Sequence, residues 1–113
     1  MSETFNYSVV EQGDTLVIKL IGRLDTTTAP ILDEMLQGID ENIGHLTFDC
    51  DDLNYISSSG LRVFLQTRKR FGKDVVNLAK VHPYVYEILE ITGFQDFFDI
   101  EVVTDKVKEQ VDE

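Results

Sequence analysis

Three stretches of this chain read as strands: "TLVIKLIG" (15–22), rich in β-branched and aliphatic residues, "HLTFDC" (45–50), which alternates Leu46, Phe48 and Cys50 against His45, Thr47 and Asp49, and "VVNLAKV" (75–81); each is followed by apolar residues at helical spacing. This alternation of strand and helix limits the possible folds more than any other feature. A strand, a helix and a second strand make a βαβ unit, and successive units with right-handed crossovers build a largely parallel sheet. Behind the first stretch, Ile31, Leu32, Met35, Leu36 and Ile39 keep a helical period, with Thr26, Thr27 and Thr28 as hydroxyl caps and Pro30 in the first turn. Behind the second, Leu61, Phe64 and Leu65 mark one face of a helix from Ser58 to Phe71. Behind the third, Pro83 opens "PYVYEILEIT", with Val85, Ile88 and Leu89 inward and Gly93 as a left-handed stop. "FNYSVVEQGD" alternates and ends at Gly13-Asp14, which predicts an N-terminal hairpin. "FFDIEVV" (97–103) predicts a closing strand. The expected class is therefore α/β, with a mixed, mostly parallel sheet. A single domain over residues 1–104 and a polar tail or short helix over 105–113 account for the length.

Charge narrows the partners. The formal net charge of −11 repels nucleic acid and anionic lipid, so neither is expected. Five of the ten basic residues, Arg62, Arg68, Lys69, Arg70 and Lys73, fall within twelve positions. They read as a solvated helix face whose last cations suit the helix dipole, or as a docking patch for an acidic partner. No apolar run approaches the ~18 residues of a membrane span, and "MSETFNYSVV" lacks the basic start of a signal peptide. With a single cysteine, Cys50, no internal disulfide is available, and the expected setting is the cytoplasm.

Motifs for chemistry fail one after another. His45 and His82 stand far apart with no cysteine pair at metal spacing, so neither a metal nor a cofactor is expected. Ser58 has Gly60 behind it but Ile56, not glycine, two residues ahead, which breaks a nucleophile elbow. Gly72-Lys73 lacks the other residues of a phosphate loop. "DCDD" (49–52) reads as solvated loop carboxylates, since a receiver-type acidic pocket needs a second acidic loop. No catalytic residue is expected.

"YISSSGL" (55–61) remains. Ser57, Ser58 and Ser59 stand where a strand gives way to an amphipathic helix, and one serine there suffices as an N-cap. From Asp49 to Leu61, "DCDDLNYISSSGL" resembles the signature of the STAS domain, the sulfate transporter and anti-sigma factor antagonist family. Asp49, Leu53, Ile56, Ser58, Ser59, Gly60 and Leu61 fall in register without a gap, and "GRLDTTTAP" (22–30) resembles the family's other marked stretch. The resemblance implies helices mainly on one face of the sheet and no catalysis. It further implies an anti-sigma factor antagonist that binds an anti-sigma serine kinase when unphosphorylated and is released by phosphorylation at Ser58, with a phosphatase restoring binding. Asp25, Ser57, Ser58, Ser59, Gly60 and Arg62 are the expected contact residues. Ser57 replaces the family's usual Asp before the acceptor, which sets Ser57 itself in competition for the phosphate or alters kinase recognition; Ser57 and Ser59 are the less favoured acceptors. Arg62 lies one helical turn beyond Ser58, placed either to pair with a phosphate or to reach solvent. The alternative is a subunit that does not switch, docked permanently to a transporter ATPase or a stress-sensing complex.

Overall fold

The computed structural model describes residues 5–103. Strands β1 (Phe5–Gln12) and β2 (Thr15–Leu24) form the expected hairpin, followed by α1 (Ala29–Gln37), β3 (His45–Ile56), α2 (Ser58–Phe71), β4 (Val76–Val81), α3 (Pro83–Thr92) and β5 (Asp99–Val102). The sheet order is β1-β2-β3-β4-β5. Among the described residues only the β1–β2 pairing is antiparallel; the next three are parallel, each reached through a helix. Crossovers of one hand that step steadily across a sheet place every helix on the same side.

Burial follows that geometry. Leu16, Ile18 and Leu20 of β2, Leu46, Phe48 and Cys50 of β3, and Val76 and Leu78 of β4 are buried on the helix side. Leu32 and Leu36 of α1, Leu61, Val63 and Phe64 of α2, and Val85 and Leu89 of α3 close over them. Phe48 and Phe64 stack with ring centroids 4.6 Å apart, joining sheet to helix at the centre. The opposite face is open and polar: Thr47 donates to Asn77 Oδ1 at 2.8 Å, and Lys19 pairs with Asp52 at 3.2 Å. Burial pushes the Cys50 thiol up to about 12, as befits a small core residue. Gly93 takes φ +80° and stops α3 in the left-handed conformation.

Four expectations are corrected. The "DCDD" carboxylates lie on a strand, because β3 runs on to Ile56 by pairing Tyr55 and Ile56 with Arg23 and Leu24 across two bulges. They are also engaged: Asp52 with Lys19, Asp51 with His82 at 3.1 Å, and Asp49 with Lys80 at 4.0 Å. Ile31 faces outward at 47% exposure, since the buried stripe of α1 runs through Ala29, Leu32 and Leu36. In α2, Val63 is buried where Leu65 is half-buried. The last strand starts at Asp99 because Phe94–Phe97 form a 3-10 turn. Residues 104–113, including the expected polar tail, lie outside the described residues.

Candidate functional site

At the C-terminal end of β2 and β3, two strand-to-helix turns meet. Leu24 and Ile56 are register partners, so the chain leaves both strands at the same level. The Ser57 N–H donates to the Leu24 carbonyl at 2.9 Å, and the Thr26 and Ser59 hydroxyls approach to 3.2 Å. Asp25 and the serines, distant in sequence, thus share one rim.

The serine turn assigns its three hydroxyls different tasks. Ser57 has extended backbone (φ −104°, ψ 179°) and is the N-cap of α2; its oxygen accepts from the Ser59 N–H at 3.2 Å, and its carbonyl accepts from the Leu61 N–H at 3.0 Å. Serine and aspartate are comparable caps, so Ser57 in place of the usual Asp keeps the cap and gives up a charge. Ser59 is half-buried against Thr26. Ser58 is the first helical residue, is exposed, and has no hydroxyl partner among the described residues. Gly60 is buried: a Cβ there would lie 2.8 Å from Ile56 Cγ1 and 2.9 Å from Leu24 Cγ. It therefore contributes no side chain to a contact and instead allows α2 to start tightly against the two strand ends.

The neighbouring turn is braced from within. Asp25 Oδ1 accepts from the Thr27 N–H at 3.0 Å, the Thr28 N–H at 3.1 Å and the Thr28 hydroxyl at 3.2 Å. The Thr28 N–H, together with the Thr28 hydroxyl, the Thr27 N–H and Arg23, holds the Asp25 carboxyl below the ordinary aspartate range. Thr28 sits at the N-cap position of α1 without capping it. Its single hydroxyl proton is shared between the Arg23 carbonyl at 2.8 Å and Asp25 Oδ1, and its oxygen accepts from the Asp25 N–H at 2.8 Å. The expected hydroxyl cap thus closes the turn upstream of the helix.

Arg62 is exposed and reaches a groove of about 250 Å³ between α1 and α2, which Thr26, Pro30, Asp33, Ser59 and Gln66 also line. A larger cleft of about 500 Å³ lies at the other end of the sheet, beside His45, Val76 and Asp99, far from the serines. Of the remaining clustered cations, Arg70 closes the C-terminal end of α1, donating to the carbonyls of Leu36 and Ile39 at 2.7 Å each. Arg68 lies over the Phe97 ring at 5.4 Å. Sequence reading missed the Arg23 guanidinium stacked 4.4 Å from the Tyr55 ring, which adds an exposed aromatic-cation pair to the rim. The two are register partners, a relation visible only once β2 and β3 are paired. Among the described residues no group of three or more His, Cys, Asp and Glu side chains is placed to hold a metal ion. No helix among them is long and apolar enough to cross a membrane.

These features define a small α/β domain, helices on one side, presenting an exposed serine at a helix start beside a rigid acidic turn. The STAS domain family model matches residues 6–113, and the chain belongs to that family. Over 97 residues it is 29% identical to the anti-sigma-B factor antagonist of Bacillus subtilis, covering 84% of this chain and 89% of that protein. The crystal structure of an anti-sigma factor antagonist from Mycobacterium paratuberculosis superposes with a TM-score of 0.79 at 20% identity, over 96% of this chain and 95% of that one. The anti-sigma factor antagonist SpoIIAA superposes in its unphosphorylated form with a TM-score of 0.71 at 18% identity, over 95% and 94% of the two chains. In its phosphorylated form the TM-score is 0.63 at 16% identity, over 93% and 97%. At these identities the likeness to the solved structures is one of fold.

Proposed function

We propose that this chain is an anti-sigma factor antagonist that binds an anti-sigma serine kinase through the rim around Ser58 and is released when Ser58 is phosphorylated. The observation that carries this reading is the contrast within the serine turn: Ser57 and Ser59 are hydrogen-bonded, whereas Ser58 is exposed with a free hydroxyl among the described residues. The relatives named as antagonists, and SpoIIAA having been solved in both phosphorylation states, support it. A phosphate at a helix start meets free N–H groups and a favourable dipole, so the fold tolerates it. In a contact the same group adds about −1.5 to −2 charges that must be desolvated. A coupling of about 1–3 kcal/mol changes affinity by roughly 5- to 150-fold. A phosphatase resets the switch.

The test uses wild-type protein, enzymatically phosphorylated protein and Ser58→Ala as parallel baits in lysate of the source organism, with mass spectrometry of bound proteins and phosphopeptide mapping. Retention of a serine kinase by wild type and Ser58→Ala, loss on phosphorylation, and phosphate on Ser58 are expected. Equal retention by all three baits points to a permanently docked subunit, and phosphate on Ser57 or Ser59 overturns the assignment of the acceptor.

A further inference from the structure

The two edges of the sheet are treated differently. β5 is four residues long, carries Asp99 and Glu101, and meets β4 across a register shift. Short, charged and irregular edges resist pairing with another chain. β1 is eight residues long, contains no proline, and runs against β2 from Phe5 to Gln12 without a bulge. Its only ionisable groups are Tyr7 and Glu11, in a chain whose formal net charge is −11. Val9 and Val10 are 43% and 51% exposed.

The hairpin determines which backbone groups β1 offers. Gln12 and Thr15 flank the two-residue Gly13-Asp14 turn as register partners, the position of a hydrogen-bonded pair. Alternation then commits Val10, Ser8 and Asn6 to β2 and turns the N–H and C=O groups of Glu11, Val9 and Tyr7 outward. The Tyr7 N–H accordingly donates to the Asn6 side chain, at 2.9 Å, rather than to a strand.

We propose that two copies of this chain pair antiparallel through β1, with the twofold axis at Val9. Val9 of each copy then exchanges two backbone hydrogen bonds with the other. Tyr7 faces Glu11 of the second copy, Ser8 faces Val10, and Asn6 faces Gln12, so no like charges are opposed. The result is a continuous ten-stranded sheet with all helices on one side. Because both β1 edges are consumed and the β5 edges are blunted, the assembly closes at two copies. Antiparallel pairing sends the two serine turns to opposite ends of the sheet, leaving both open. An eight-residue edge is smaller than the ~1,600 Å² of a standard interface, so the dimer is reversible and concentration-dependent. This inference does not rest on Ser58 being a phosphate acceptor.

Sedimentation equilibrium from about 10 μM to 1 mM tests it, with Val9→Lys and Val9→Pro beside wild type. Val9→Lys places two cations on the axis; Val9→Pro removes an outward N–H and spares the bonds to β2. Wild type should rise from 12.9 kDa towards twice that mass, and both variants should stay monomeric, weakening association at least 100-fold with unchanged circular dichroism. If Val9→Pro unfolds, Val9→Lys decides alone. A wild type monomeric throughout, or association that survives in a folded Val9→Lys, overturns the proposal.

Discussion

The turn at Asp25–Thr28 and the turn at Ser57–Gly60 leave paired strand ends, and each opens a helix, yet they are held in different ways. The first is closed by its own side chains: Asp25 and Thr28 take up each other's polar groups and the Arg23 carbonyl. The second has one internal side-chain bond, from the Ser59 N–H to Ser57, and is fixed mainly by Gly60 pressing on Leu24 and Ile56. Stability at this end of the sheet is concentrated in the acidic turn and in the glycine contact. Ser58 is left out of both. A residue that carries none of the structure can be modified without cost to the fold, and that separation is what a switch requires.

Substitutions on the two turns can break or sharpen that contrast. The largest loss is expected for Thr28→Val, which takes the hydroxyl partner from the half-buried Asp25 N–H and from the Arg23 carbonyl; about 3 kcal/mol should disappear from urea unfolding. A loss under about 0.5 kcal/mol would show that the acidic turn is not a brace. Gly60→Ala should cost about 2 kcal/mol, because the added methyl overlaps Ile56 and Leu24 at the start of α2. Ser57→Ala removes the cap and should cost about 1 kcal/mol, whereas Ser58→Ala should stay within about 0.5 kcal/mol of wild type. Equal effects at Ser57 and Ser58 would erase the division of labour within the serine turn.

The smallest effect is one of pH. The Asp25 carboxyl titrates below its ordinary range in the folded protein, so its contribution is full above about pH 4 and is lost as pH falls through the lower folded value. Asp25→Asn lacks that contribution. The stability gap between wild type and Asp25→Asn should therefore be constant near pH 6 and narrow below pH 4; a gap that widens in acid would contradict the bonding described for the turn.

Much of this was legible in the residues. Alternating strands and helices, the hairpin at Gly13-Asp14 and the Gly93 stop depend on local preferences and periodicity, which the chain states directly. The serine turn was legible as well, through "ISSSGL" and its occurrence together with "GRLDTTTAP". Less legible was the stretch from Asp49 to Tyr55: four acidic or amide side chains argue locally against a strand, and only pairing with β2 outweighs that preference. Ile31 misled for a related reason, since helical spacing defines a stripe but not which of its edges another helix covers.

Sequence by itself determined the order of strands and helices, the buried faces of the strands and the presence of a polar turn before α2. Tertiary structure decided which hydroxyl is free. Ser57 caps because its backbone is extended where the Leu24 carbonyl receives its N–H, and Ser59 is held because the Thr26 turn arrives beside it. Both partners, Leu24 at the end of β2 and Thr26 in the turn behind it, lie more than thirty residues earlier, and hydrogen bonds of that kind exist only after the strands have been brought into register.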